Sequence, residues 1–257
     1  MGRESTLGGK GQGEGLGHQL LAEVAKLDFP VLGASAQGRP IFGARLAGAR
    51  AGDVGERPPV VLMAGIHGDE PASVAAILDL LARWGTLGPL PGPVWVVPAL
   101  NPDGIAAGTK NSSRDVDLNR NFPARNFSLV HGPGYDPGPA PLSEPESELF
   151  AGLLHQTHPW GVVAVHAPFA CINHDGPAAT WADAVAASCG WPVREDIGYP
   201  TPGSLGSWLG VDRGLPVLTI ELPRGRLEEF RQAAFLALAA AITFSPPGGA
   251  EDMGRAA

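Results

Sequence analysis

Apolar positions along the chain follow two rhythms, one suited to buried strands and one to packed helices. Pro59 to Ile66 is an unbroken apolar run, as expected of a strand buried on both faces, and Pro71 to Trp84 follows with helical spacing and a proline near its start. Val94 to Leu100 predicts a second strand. Ser143, with Glu146 three residues on, carries a capping-box signature for a helix running to about His155. Gly161 to Val165 predicts a third strand, Trp181 to Ser188 a helix, Pro216 to Leu222 another buried strand, and Leu227 to Phe244 a closing helix. Strands and helices thus alternate, which is the pattern of an α/β domain.

Two long segments break the rhythm. Asn101 to Leu142 and Gly198 to Leu215 are dense in Gly, Pro, Asn and Ser, and loops of that size inside a compact domain are usually functional or disordered. Residues 1–17 and 246–257 are too rich in Gly, Ser, Pro and charge to bury much apolar surface, so both are expected to be flexible tails around one domain at 18–245.

Composition narrows the function. The 257 residues carry a formal charge of −8 and no basic run, which argues against nucleic acid or an anionic membrane as partner. Two cysteines, Cys171 and Cys189, are too few for a disulfide framework. The N-terminal segment lacks the apolar stretch of a signal peptide, and the longest apolar run, Ala233 to Phe244, is shorter than the roughly 20 residues a membrane span needs. A cytoplasmic address is the resulting expectation.

The chemistry gathers at strand ends, where open α/β sheets bind their ligands. His67 and Glu70, in His67-Gly68-Asp69-Glu70, lie three residues apart at a strand-to-helix turn, and His166 closes the run GVVAVH. Two imidazoles and a carboxylate, with a water in the fourth position, make an attested catalytic zinc shell. His18, His131, His155, His158 and His174 read as ordinary surface or loop residues. Glu221 interrupts the apolar run PVLTIEL; a carboxylate there is costly to bury unless it serves as a base or pairs with an arginine. Arg120, in VDLNRNFP, offers a planar fork for a carboxylate, with a surface salt bridge as the plainer reading.

Several blocks together resemble the zinc carboxypeptidase family, and within it the bacterial murein peptide amidases: GIHGDE (65–70), PALNPDG (98–104), VDLNRNFP (116–123), VHAPFACI (165–172), GYPTPGSLGSW (198–208) and TIELP (219–223). The resemblance runs from about Leu32 to Phe244. It implies one three-layer αβα domain with a mixed, twisted sheet of about eight strands, and one zinc ion on His67, Glu70 and His166. It makes Glu221 the general base, Tyr199 a phenol that closes over substrate, Asn119 and Arg120 the grip on a free carboxylate, and Asp117 the acceptor that orients His67. Lys110 stands nine residues before Asn119, where the family has an arginine that stabilises the oxyanion; Arg114 lies nearby as the alternative. Ala167 replaces an acidic residue of the amidases. Gly206 stands near the specificity position, implying a wide, neutral pocket there.

The function this implies is hydrolysis of a small peptide with a free carboxylate, namely cleavage of the γ-D-Glu–diaminopimelate bond of murein tripeptide in cell-wall recycling. A general metallocarboxypeptidase is one alternative. An N-acyl-amino-acid deacylase of the aspartoacylase and succinylglutamate desuccinylase type is another, opposed by VDLNRNFP and the Tyr199 segment. An inactive fold that only binds peptides is the non-enzymatic rival.

Overall fold

The structure is a computed structural model that describes residues 10–46 and 57–245. Helix α1 (Lys10–Val24) leads into a ribbon of β1 (Val31–Ala34) and β2 (Pro40–Phe42). The body then runs β3 (Ala44–Leu46), β4 (Val60–Ala64), α2 (Pro71–Ala82), β5 (Val94–Val97), α3 (Pro102–Ala107) and α4 (Pro145–Thr157). It continues β6 (Gly161–His166), β7 (Phe169–Asp175), α5 (Ala179–Cys189), β8 (Val193–Arg194), β9 (Val217–Pro223) and α6 (Leu227–Thr243), with a π-helical turn at Gly206–Val211. The main sheet has seven strands in the order β3-β5-β4-β6-β9-β7-β8, one fewer than the family resemblance implies. Strands β5, β4, β6 and β9 run parallel, while β3 and β7 are antiparallel to their neighbours β5 and β9.

The unbroken apolar runs follow from burial on both faces. Successive side chains of a strand point to opposite sides, and β4 divides accordingly. Val60, Leu62 and Ala64 pack with Ile77, Trp181 and Leu238 of α2, α5 and α6, whereas Val61 and Met63 pack with Phe150, Phe122 and Trp208 on the other side. One layer is therefore three helices, and the other is α4 with the long loop and the π-helical turn.

Every predicted strand and helix forms, with ends shifted by a few residues. The capping box at Ser143 does not. Glu144 rather than Ser143 is the N-cap and makes no side-chain capping bond, and Glu146 is turned away to accept the Ala36 N–H at 3.1 Å. Residues 10–17, expected within the N-terminal tail, form the first part of α1. Close contact with α3 holds it: a Cβ at Gly17 would stand 2.0 Å from the Ile105 carbonyl oxygen. Residues 1–9 and 246–257 lie outside the described residues.

The long loop after β5 is ordered by its own polar side chains. Asn101 caps α3 by accepting the Gly104 N–H at 2.8 Å. Asn121, fully buried, donates to the Pro137 and Ala140 carbonyls at 2.7 and 2.9 Å, so the two halves of the loop are tied together beneath the site.

The turn from β4 to α2 needs two glycines. Gly65 adopts φ +66°, a region that favours a residue without Cβ, and Gly68 lies against α3, where a Cβ would meet the Gly104 carbonyl carbon at 2.0 Å. Gly68→Ala is accordingly expected to destabilise the metal-free protein by about 1–3 kcal/mol, the usual cost of overpacking. At the exposed Gly88 a Cβ would meet nothing within 4 Å, so Ala should be accepted there with little change. Denaturant unfolding of the two variants checks the contrast.

Candidate metal centre

Three donors meet at the carboxyl ends of β4 and β6. Gly65 turns the chain out of β4, which places His67 just past the strand and Glu70 immediately before Pro71, the first residue of α2. His166 ends β6. Glu70 lies between the two rings: Oε1 is 2.7 Å from His67 Nδ1, and Oε2 is 3.2 Å from His166 Nδ1. One donor atom from each of the three residues falls within 4.8 Å of the other two. The Ala167 N–H also reaches Glu70 Oε2, at 3.1 Å.

The charges show what such a cluster requires. Burial by itself opposes protonation of His67, yet Glu70 and Asp117 outweigh it and raise its pKa to about 10. Burial also penalises the Glu70 carboxylate, but the two histidines prevail and lower its pKa to about 2. The arrangement favours a positive charge beside a buried carboxylate, and a divalent cation fits that demand with donors of the type zinc takes. His67 Nε2 lies 3.2 Å from Asp117 Oδ1, on the side of the ring away from Glu70. Such outward partners fix the tautomer and orientation of metal-binding imidazoles.

Glu221 stands opposite His166 in the β6–β9 register. It is 5% exposed, and its Oε2 is buried with no hydrogen-bond partner. Burial is the main cause of its raised pKa, with the nearby Glu70 adding to it. The alternative reading as a partner of an arginine finds no support among the described residues.

Arg120 and Asn119 line the same cavity of about 130 Å³ with His67, Glu70, His166 and Glu221. Arg120 is 5% exposed and donates to the Asn119 carbonyl at 2.6 Å, with its guanidinium 5.3 Å from the Tyr135 ring. No carboxylate pairs with it among the described residues, so it is not the surface salt bridge that was its plainer reading. The Asn119 side chain accepts the Leu205 N–H at 3.0 Å, which joins this loop to the π-helical turn. Tyr199 is partly exposed on the cavity wall, its ring 6.3 Å from Phe169 and 6.1 Å from Tyr135.

The two candidate electrophiles are placed elsewhere. Lys110 Nζ donates to Asp117 Oδ2 at 2.6 Å and to the Gly134 carbonyl at 3.1 Å, over the Tyr135 ring, and does not line the cavity. Arg114 is more than half exposed, lies 3.9 Å from Glu144 and does not line the cavity. His174, read as a loop residue, belongs to β7.

The residue that the sequence reading missed is Asp175. It ends β7 and lies in the cavity against Gly206, so the pocket there is not neutral. The polar close of FACINHD hid the strand, and without the strand nothing tied Asp175 to the site.

Comparison with known proteins agrees with this geometry. The succinylglutamate desuccinylase/aspartoacylase catalytic-domain model matches residues 56–134, and the zinc carboxypeptidase model matches residues 25–86. Murein peptide amidase A of Escherichia coli (strain K12) is 33% identical over 225 residues, which cover 81% of this chain and 89% of the relative. The chain belongs to the zinc carboxypeptidase family. It is a peptide hydrolase of the metallopeptidase or amidase kind. The crystal structure of murein-tripeptide amidase from Escherichia coli O157 matches with a TM-score of 0.70 at 31% identity, covering 86% of this chain and 95% of that one. Carboxypeptidase A from Helicoverpa armigera matches with a TM-score of 0.70 at 18% identity, over 87% of this chain and 69% of that one, and so shares the fold. The span matched by the desuccinylase/aspartoacylase model covers the VDLNRNFP segment.

The three clustered donors and Glu221 should respond differently to substitution. His166→Ala is expected to lose both zinc and activity, since three protein ligands leave no redundancy. Glu221→Gln should retain zinc while turnover falls by orders of magnitude. Metal analysis beside peptide-hydrolysis kinetics checks both; loss of zinc in Glu221→Gln would make Glu221 a ligand.

Proposed function

We propose that this chain is an amidase that holds one zinc ion on His67, Glu70 and His166 and releases the terminal residue of a small peptide. Its substrate on this reading is L-Ala-γ-D-Glu-meso-diaminopimelate, cut at the γ-D-Glu bond during cytoplasmic recycling of cell-wall peptides. The observation that carries the peptide-binding part is Arg120, a buried guanidinium on the cavity wall without a carboxylate partner among the described residues. Similarity to murein peptide amidases along most of the chain supports the choice of substrate.

When bound, zinc polarises a carbonyl and lowers the pKa of water to about 7. The chain's own residues do the rest. Glu221 accepts the proton of the attacking water on its unpartnered Oε2 and passes it to the leaving nitrogen. Arg120 and Asn119 hold the terminal carboxylate, and Tyr199 closes over the leaving residue. Asp117 keeps His67 in register. Among the described residues, no helix is long and apolar enough to cross a membrane.

Lys110 is the proposed electrophile by its place in the family pattern nine residues before Asn119; its ammonium, held by Asp117 outside the cavity, has to leave that carboxylate to reach the oxyanion, whereas Arg114 faces solvent beside Glu144. Lys110→Ala should therefore lower kcat by about 10²- to 10³-fold, the usual cost of an oxyanion donor, and Arg114→Ala far less. Steady-state kinetics of the two variants decides, and a larger loss in Arg114→Ala would reverse the assignment.

The substrate is tested with two peptides of the same terminal charge. The γ-linked tripeptide is expected to exceed an all-L, α-linked peptide at least tenfold in kcat/KM, about 1.4 kcal/mol of transition-state discrimination. Amidating the terminal carboxylate should remove most binding. Equal rates, or a preference for the α-linked peptide, would place the chain with the general carboxypeptidases.

A further inference from the structure

The Lys110 ammonium is held by three groups, two of which come from adjacent residues of one loop. Asp117 Oδ2 accepts from Nζ at 2.6 Å, the Gly134 carbonyl accepts at 3.1 Å, and the centroid of the Tyr135 ring lies 3.8 Å away. A cation at that distance is attracted by the quadrupole of the ring. The loop that supplies carbonyl and ring is itself fixed. The Asp136 carbonyl accepts the Asp117 N–H at 2.8 Å, the Gly132 carbonyl accepts the Tyr135 N–H at 3.2 Å, and Gly134 turns at φ +79°, where a residue without Cβ is favoured. Residues 132–136 are therefore tied to the same Asp117 that holds the ammonium.

The Tyr135 ring has two further neighbours. The Arg120 guanidinium lies 5.3 Å from its centroid, within cation–π range, and the Tyr199 ring lies 6.1 Å from it, within the range of aromatic pairs. Tyr135 lines a second cavity, of about 270 Å³, that shares Arg120 and Tyr199 with the metal cavity. The ring thus has open space beside it in which to move. Neither Tyr135 nor Lys110 lines the metal cavity. This placement suits the free protein, because an ammonium inside that cavity would repel a divalent cation, whereas at Asp117 its charge is compensated.

We propose that Tyr135 is a positioning residue that, with the Gly134 carbonyl, keeps the Lys110 ammonium at Asp117 until a substrate engages Arg120 and Tyr199. This rests on the reading of Lys110 as the electrophile and deepens it. When the terminal carboxylate takes Arg120 and Tyr199 closes over the leaving residue, two neighbours of the ring shift together. The ring then moves toward the second cavity and gives up the ammonium. Part of the binding energy of the substrate is used in that release.

Two measurements on the zinc-loaded full chain test this. The first is the rate at which an amine-acylating reagent labels Lys110 in the absence of substrate, read by peptide mass spectrometry relative to the exposed Lys26. The Lys110 side chain is 27% exposed, so the reagent reaches it. Tyr135→Leu should raise the ratio about threefold or more, the scale of one lost cation–π contact, and Tyr135→Phe, which keeps the ring, should restore the wild-type ratio. An unchanged ratio in Tyr135→Leu, or a raised one in Tyr135→Phe, overturns the proposal. The second is a double-mutant cycle in kcat/KM on the γ-linked tripeptide. Loss of the ring disturbs Arg120 in either background but frees Lys110 only where it is present. The effect of Tyr135→Leu should therefore be more favourable by about threefold or more in wild type than in Lys110→Ala. Equal effects, as a general loosening of the loop would give, or a difference of opposite sign, overturn it. If Lys110→Ala itself leaves kcat/KM unchanged, the electrophile reading fails separately, and the labelling ratio decides whether Tyr135 holds the ammonium.

Discussion

The Glu70 carboxylate, held between two imidazoles and largely shielded from bulk water, is the constraint around which this structure is arranged. An isolated buried anion would be expelled or neutralised. Here it is stabilised because His67 and His166 come from different strands and reach it from two sides. The turn carrying His67 depends on Gly65 and Gly68, and Gly68 in turn fixes where α3 can lie. The VDLNRNFP loop must then present Asp117 to the outer nitrogen of His67, and Asn121 locks that loop to the segment around Pro137. A cluster built this way favours a cation at its centre, and the zinc carboxypeptidase family supplies one.

Charge then organises the cavity beyond the metal ligands. Glu221 keeps its Oε2 buried in an apolar strand without a partner among the described residues, an arrangement that suits a base. Among the described residues, Arg120 is buried without a carboxylate partner and Asp175 without a cation. Unpaired charge is costly in the folded chain, so their presence on one wall ties the energetics of the fold to the chemistry of the ligand.

Much of this was legible in the residues themselves. Burial on both faces made β4, β6 and β9 readable as apolar runs, and the strand ends located His67, His166 and Glu221. The roles suggested for Asp117, Asn119 and Tyr199 needed the family resemblance, because nothing local in a Gly- and Pro-rich loop says which side chain turns inward. Three features resisted sequence reading for physical reasons. The helix α1 is glycine-rich and gains its place from contact with α3 rather than from propensity. The Ser143–Glu146 pair looked like a cap, but Glu146 is recruited by the distant Ala36. Asp175 became significant only once β7 had been placed beside β9, a pairing no local pattern announces.

The central claim is that His67, Glu70 and His166 share one metal ion. Anomalous diffraction from crystals of the zinc-loaded protein, recorded on both sides of the zinc absorption edge, tests it most directly. The account predicts a single strong peak bounded by His67 Nδ1, the Glu70 carboxylate and the His166 ring, with Glu221 outside bonding distance. A peak elsewhere in the chain, or none between these three side chains in fully loaded protein, would contradict it.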